Sequence, residues 1–86
     1  MFTIYGTDTC KYCKDAKNFL LERAEPFKYV RVEDNVEEFK ENFPGVTSVP
    51  QILYDDKYWI EGGFEGMRNL WYSGPREFWF TPDKLY

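Results

Sequence analysis

The only cysteines of the chain, Cys10 and Cys13, stand as a C-x-x-C pair in the run Thr7 to Lys17, TDTCKYCKDAK. Three chemistries use such a pair. A structural zinc site takes about four ligands, and two cysteines with no histidine cannot supply them from one chain. A cluster shared between two chains would be needed. Buried cysteines can also be inert core residues, a reading that suits isolated cysteines better than a pair after a strand and at the start of a helix. Thiol–disulfide chemistry is the third, and a CxxC beside a strand–helix–strand pattern points to it. At a helix N-terminus the unpaired N–H groups and the macrodipole favour an anion, and the thiolate is the reactive form. Cys10 is placed there. Cys13 lies about one helical turn on, close enough for the sulfurs to meet and more buried. It is the natural resolving thiol for a mixed disulfide formed at Cys10. With no histidine to act as base, activation falls to the helix end and to nearby cations. Lys11 is the candidate; Lys14 reads as a solvated lysine.

The elements that must position this pair follow from periodicity. Phe2 to Tyr5 alternates as a strand, GTDT is a loop, and Asp8 or Thr9 is placed to cap the next helix. Cys13, Ala16, Phe19, Leu20 and Arg23 share one helical face, and the helix should end before Pro26. Phe27 to Val32 alternates, with Val30 and Val32 on one side and Phe27 and Tyr29 on the other. Strand, helix and strand this close together predict a parallel pair. Glu33 to Asn35 reads as a cap, and Val36, Phe39 and Phe43 carry a second helix to Pro44-Gly45. Gln51 to Tyr54 and Lys57 to Ile60 form a hairpin, and Phe64, Met67, Leu70 and Trp71 mark a third helix ended by Ser73 to Pro75. The remainder is aromatic without a clear period, as a short helix or a segment packed across the sheet. The order β-α-β-α-β-β-α predicts an α/β fold: a mixed four-stranded sheet flanked by three helices. The whole chain, 1–86, reads as one domain with an aromatic tail over 73–86.

Two further stretches carry polar or conformational signals. In TSVPQIL, Pro50 either opens an edge strand or forms a cis-proline loop that leaves the Val49 backbone free to pair with an extended thiol peptide. In GGFEG, Gly62 and Gly63 form either a plain turn or a close backbone approach to a carboxylate at a helix start.

Composition narrows the partners. Aromatic residues make up 21% of the 86, a dense supply of core for a short chain. Eleven basic against fifteen acidic residues give a net charge of −4, which argues against nucleic-acid binding. No apolar run reaches membrane-span length, and the N-terminus lacks a secretory pattern. The expected location is the cytoplasm, where a disulfide is more often catalytic than structural.

Taken in order, Cys10-Lys11-Tyr12-Cys13, Ser48-Val49-Pro50 and Gly62-Gly63-Phe64-Glu65 resemble the C-P-Y-C, T-V-P and G-G stretches of the glutaredoxin family. The resemblance runs from about Phe2 to Trp71, and the short loops are similar to those of compact bacterial and phage members. It implies a thioredoxin-like fold and a monomeric, glutathione-dependent dithiol enzyme with glutathione as co-substrate and no metal. Its clients would be protein disulfides and glutathione mixed disulfides, ribonucleotide reductase among the former. The location would be the cytoplasm, the host's for a phage protein. Carried over residue by residue, Cys10 is the nucleophile and Cys13 the resolving thiol. Tyr12 packs beside glutathione, Val49 pairs with its cysteinyl part next to a cis Pro50, and Gly63, Phe64 and Glu65 hold its γ-glutamyl end. Departures stand beside these matches. Lys11 replaces the usual proline, Thr7 replaces a basic residue, and Glu65 is one carbon longer than the usual Asp. Lys11 is the nearest substitute cation for the glycine carboxylate, with Lys40 further off. Two alternatives are a redoxin recharged by thioredoxin reductase, and a thioredoxin-fold binding module that docks a partner through its sheet and aromatic tail or bridges a cluster through Cys10.

Overall fold

A computed structural model of the protein describes residues 1–80; the last six residues of the expected tail lie outside the described residues. The elements are β1 (Phe2–Gly6), α1 (Lys11–Glu22), β2 (Phe27–Arg31), a 3-10 turn (Val32–Asp34), α2 (Val36–Asn42), β3 (Gln51–Tyr54), β4 (Tyr58–Ile60), α3 (Gly63–Trp71) and a second 3-10 turn (Arg76–Phe78). The strands form one sheet in the order β2-β1-β3-β4. β1 pairs parallel with β2, as the α1 crossover requires, and antiparallel with β3. β3 and β4 form the expected hairpin, turning at Asp55 and Asp56, both at φ 56°. Positive φ at both central residues is the mirror-image turn whose twist suits a hairpin. This is the mixed four-stranded, three-helix architecture of the thioredoxin-like folds.

Alternation along the strands divides the core into two layers. Phe2, Ile4, Ile52 and Ile60 face Ala16, Phe19 and Leu20 of α1 and Met67 of α3. Ile4, Ile52 and Ile60 lie side by side in the strand register. On the opposite face Tyr5 and Leu53 pack against Phe39 and Phe43, with Val30 and Val32 at the margin. The Tyr5 hydroxyl donates to Glu38 at 2.7 Å and accepts from Asn42 at 3.1 Å, tying α2 to the sheet. Burial first, then the Glu38 carboxylate, pushes the Tyr5 hydroxyl pKa well above its ordinary value.

Several local expectations need correction. β2 stops at Arg31, because Val32 already turns into the 3-10 segment, and β4 starts at Tyr58 rather than Lys57. Val36 is 43% exposed, so α2 buries only Phe39 within its span. Neither Asp8 nor Thr9 caps α1; Cys10 does. Asn35 stands at the α2 N-cap, but its side chain donates back to the Arg31 carbonyl at 2.9 Å instead of capping. The described part of the tail takes both forms foreseen for it. After the turn at Arg76–Phe78, Trp79 is buried against Phe2, Tyr54 and Trp71, and Phe80 stacks on Tyr58 with centroids 4.5 Å apart.

Candidate functional site

Cys10 has extended backbone (φ −86°, ψ 117°) at the mouth of α1, and its Sγ accepts the Cys13 N–H at 3.1 Å. The cysteine sulfur thus takes the place of a capping oxygen, and the same N–H is positioned to stabilise a thiolate. Cys10 and Cys13 are joined as a disulfide across a Cα separation of 5.2 Å. The two are not equivalent. Cys10 is partly exposed, while Cys13 is fully buried against β1. Gly6 makes that burial possible: a Cβ there would come within 2.8 Å of the Cys13 Sγ and 2.5 Å of the Tyr29 hydroxyl oxygen.

The loop that leads into Cys10 is pinned from β2. Tyr29 donates to the Thr7 carbonyl at 3.0 Å, and the Arg31 guanidinium forks onto Asp8 at 2.8 and 3.1 Å. Arg31 also pairs with Asp34. Its hydrogen bonds hold the Asp8 carboxyl below the ordinary carboxylate value. Neither Tyr29 nor Arg31 was singled out by sequence; their role depends on the parallel register that sets Tyr5 and Gly6 beside Val30 and Arg31.

Across from the cysteines the Val49–Pro50 peptide bond is cis, and the Val49 carbonyl oxygen lies 3.8 Å from the Cys10 Sγ. From here a groove of about 570 Å³ opens. Tyr12, Val49, Pro50, Gly63, Phe64 and Glu65 line it, six of the seven residues assigned to glutathione from sequence. Gly63 has φ +59°, and a Cβ on it would stand 2.9 Å from the Pro50 carbonyl oxygen. A glycine therefore lets the N-terminus of α3 close against the proline. The seventh residue, Lys11, is not among the lining residues. Its side chain is 81% exposed, with the amine 3.5 Å from the Asp15 carboxylate and 5.2 Å from the Tyr12 ring centroid. Lys40 and Thr7 do not line the groove either.

Sequence reasoning missed the far wall, made of Val46, Gln51, Trp59 and Glu61. Gln51, 7% exposed, donates to the Ser48 carbonyl at 3.0 Å and accepts from the Trp59 indole N–H at 3.0 Å. The Trp59 ring also rests on Phe43, with centroids 5.9 Å apart. One signal was available: a glutamine on the inward face of a strand, two residues before Leu53, needs polar partners.

A sheet with a cysteine pair at the first helix mouth, set against a cis-proline and an open groove, defines a thiol–disulfide oxidoreductase of the thioredoxin-like class. Within that class, the glutaredoxin family model matches residues 2–59, and the chain belongs to the glutaredoxin family. The match takes in both cysteines and Pro50; the double glycine and α3 lie beyond it. No curated protein matches the chain. Among the described residues no helix is long and apolar enough to cross a membrane, and no group of three or more His, Cys, Asp or Glu is placed to hold a metal ion.

Proposed function

We propose that the protein is a glutathione-dependent dithiol oxidoreductase that reduces protein disulfides and glutathione mixed disulfides. The observation that carries this reading is the partly exposed Cys10 sulfur at the α1 N-terminus, 3.8 Å from the Val49 carbonyl at the groove. In the reduced protein the Cys10 thiolate attacks one sulfur of a client disulfide. The client S–S bond breaks, one client thiolate leaves, and Cys10 is joined to the other. Cys13, deprotonated, then attacks the Cys10 Sγ and releases the second client thiolate. Two electrons have passed to the client, and Cys10–Cys13 is again a disulfide. A glutathione thiolate attacks the Cys10 Sγ and frees Cys13; a second glutathione takes the first as oxidised glutathione. In this scheme the Val49 backbone pairs with the cysteinyl part of the incoming thiol beside Pro50. Tyr12 flanks it, and Gly63, Phe64 and Glu65 receive the γ-glutamyl end. Lys11 acts only as a cation on the first turn of α1. The clients are cytoplasmic proteins, ribonucleotide reductase among them, met by a monomer.

A second reading is recharge by a thioredoxin reductase, and it is favoured by one observation: no Lys or Arg lines the groove among the described residues. Glutathione carries two carboxylates that a basic groove would hold. Turnover of a protein disulfide is to be measured with glutathione and glutathione reductase, and separately with NADPH and thioredoxin reductase. Turnover with glutathione supports the first reading, and turnover with thioredoxin reductase alone replaces it with the second.

A further inference from the structure

Beyond Val49 and Pro50, the groove continues to a wall with an unusual balance of charge. Two carboxylates, Glu61 and Glu65, line it, and no lysine or arginine does among the described residues. Cations close to the groove in sequence have partners of their own, Lys57 with its amine 5.2 Å from the Tyr58 ring centroid. The Lys11 amine lies 3.5 Å from the Asp15 carboxylate, and Arg68 reaches Glu65 at 3.5 Å. Glu61 makes no ion pair among the described residues. The groove is also walled by aromatic rings, Tyr12, Phe64 and Trp59, of which Tyr12 is 58% and Trp59 45% exposed. Trp59 is not a loose surface ring. Its indole N–H is held by the buried Gln51, and its ring leans on Phe43. Aromatic faces and an unpaired carboxylate together suit a cation, which gains from the ring quadrupole and from the charge at once.

We infer that this groove selects polypeptide disulfides that carry a lysine or arginine beside the reacting cysteine, with Glu61 as the specificity-determining residue and Trp59 as the wall that receives the cation. This rests on the thiol–disulfide reading above and names the client class for the same site. The occupant is a polypeptide segment because its charge complements the groove. Glutathione, with two carboxylates and one ammonium, meets Glu61 with no lining lysine or arginine among the described residues to offset it, while Glu65 is already paired with Arg68. It can serve as reductant through the sulfur and the backbone while gaining nothing from the far wall.

The test uses two mixed-disulfide peptides of the same sequence, one with lysine and one with glutamate beside the cysteine. Single-turnover reduction is measured for the reduced wild-type protein, Glu61→Gln and Glu61→Lys, at low and high salt. The wild type should reduce the lysine peptide about fivefold faster, the scale of one exposed ion pair with a cation–π contact. The preference should shrink toward unity in Glu61→Gln and at high salt, and should reverse in Glu61→Lys. Equal wild-type rates for both peptides, or a preference unchanged by the Glu61 substitutions, overturns the inference and leaves the thiol–disulfide reading standing. Failure of the wild type to reduce either peptide overturns both.

Discussion

Two regions of this molecule combine aromatic rings with charge, and they do so in opposite ways. In the groove, Tyr12, Trp59 and Phe64 stand with Glu61 and Glu65, and among the described residues no lysine or arginine lines it. At the far end of the core the cation is built in. The Arg76 guanidinium lies 5.1 to 5.8 Å from the ring centroids of Phe2, Tyr54, Trp71 and Trp79, and it forks onto Glu25 at 2.8 and 2.9 Å. The hydrogen bonds that Arg76 donates to Glu25 raise the Arg76 pKa, so the cation stays charged. One arrangement is complete within the chain and fastens the C-terminal segment over the edge of the core. The other is incomplete and opens at Val49 and Pro50, with the Val49 carbonyl oxygen 3.8 Å from the Cys10 Sγ. The difference separates a structural use of the same side-chain chemistry from a recognition use.

That contrast can be broken at several points, with effects of decreasing size. Trp79→Ala removes a buried ring from the completed region and should cost ~3–5 kcal/mol of stability, read from the denaturant midpoint. Thiol exchange per folded molecule should be unchanged. A loss of activity without loss of stability would mean that the two regions are coupled. Gly63→Ala strikes the other region. It forces a side chain into positive φ and against Pro50, and should cost ~1–2 kcal/mol in the same unfolding measurement. Unlike Trp79→Ala it should also raise KM for the disulfide substrate, because α3 must withdraw from the groove. Arg76→Met keeps most of the bulk but removes the cation from its rings and from Glu25. A loss of ~1–2 kcal/mol is expected, discounted for the partial exposure of the pair, again with normal exchange rates.

The smallest effect concerns the Arg31–Asp8 fork that holds the loop before Cys10. The Asp8 pKa is depressed in the folded state, so its contribution is present above the ordinary carboxylate pKa of 3.8 and is lost as pH falls through the lower folded value. Arg31→Ala should therefore narrow the gap between the wild type's stability at neutral pH and in acid. A pH series of urea midpoints checks it. An unaltered acid limb would show that the fork positions the loop without contributing to stability.

Much of the fold was legible because it is written in short-range patterns. The alternation in Phe2 to Tyr5 and Phe27 to Val32, and the face shared by Cys13, Ala16, Phe19 and Leu20, led directly to β1, β2 and α1. The near wall of the groove was legible only through its three motifs taken together, since Pro50 and Gly63 each had a plain structural reading as well. The far wall was not. Gln51 and Trp59 meet only because β3 and β4 fold back on each other, and Glu61 shows no feature until α3 is set beside Pro50. That Lys11 stands outside the groove lining was not legible for a related reason. Being next to Cys10 in sequence suggested a shared environment, but the first turn of a helix points successive side chains in different directions, and Asp15 one turn on captures the amine. Cys10 as its own helix cap was hidden because cysteine is not among the usual capping residues. Trp79 lacked a periodic context, so only packing could show where it goes.

In the proposed function Cys10 is the attacking sulfur of a glutathione-linked exchange, and Cys13 is needed only for the intramolecular step. Turnover of a small glutathione mixed disulfide, with glutathione and glutathione reductase, tests it in the wild type, Cys10→Ser and Cys13→Ser. The expected result is the uncatalysed background for Cys10→Ser and retained turnover for Cys13→Ser, since a second glutathione can replace the resolving thiol. Turnover that survives in Cys10→Ser would contradict it.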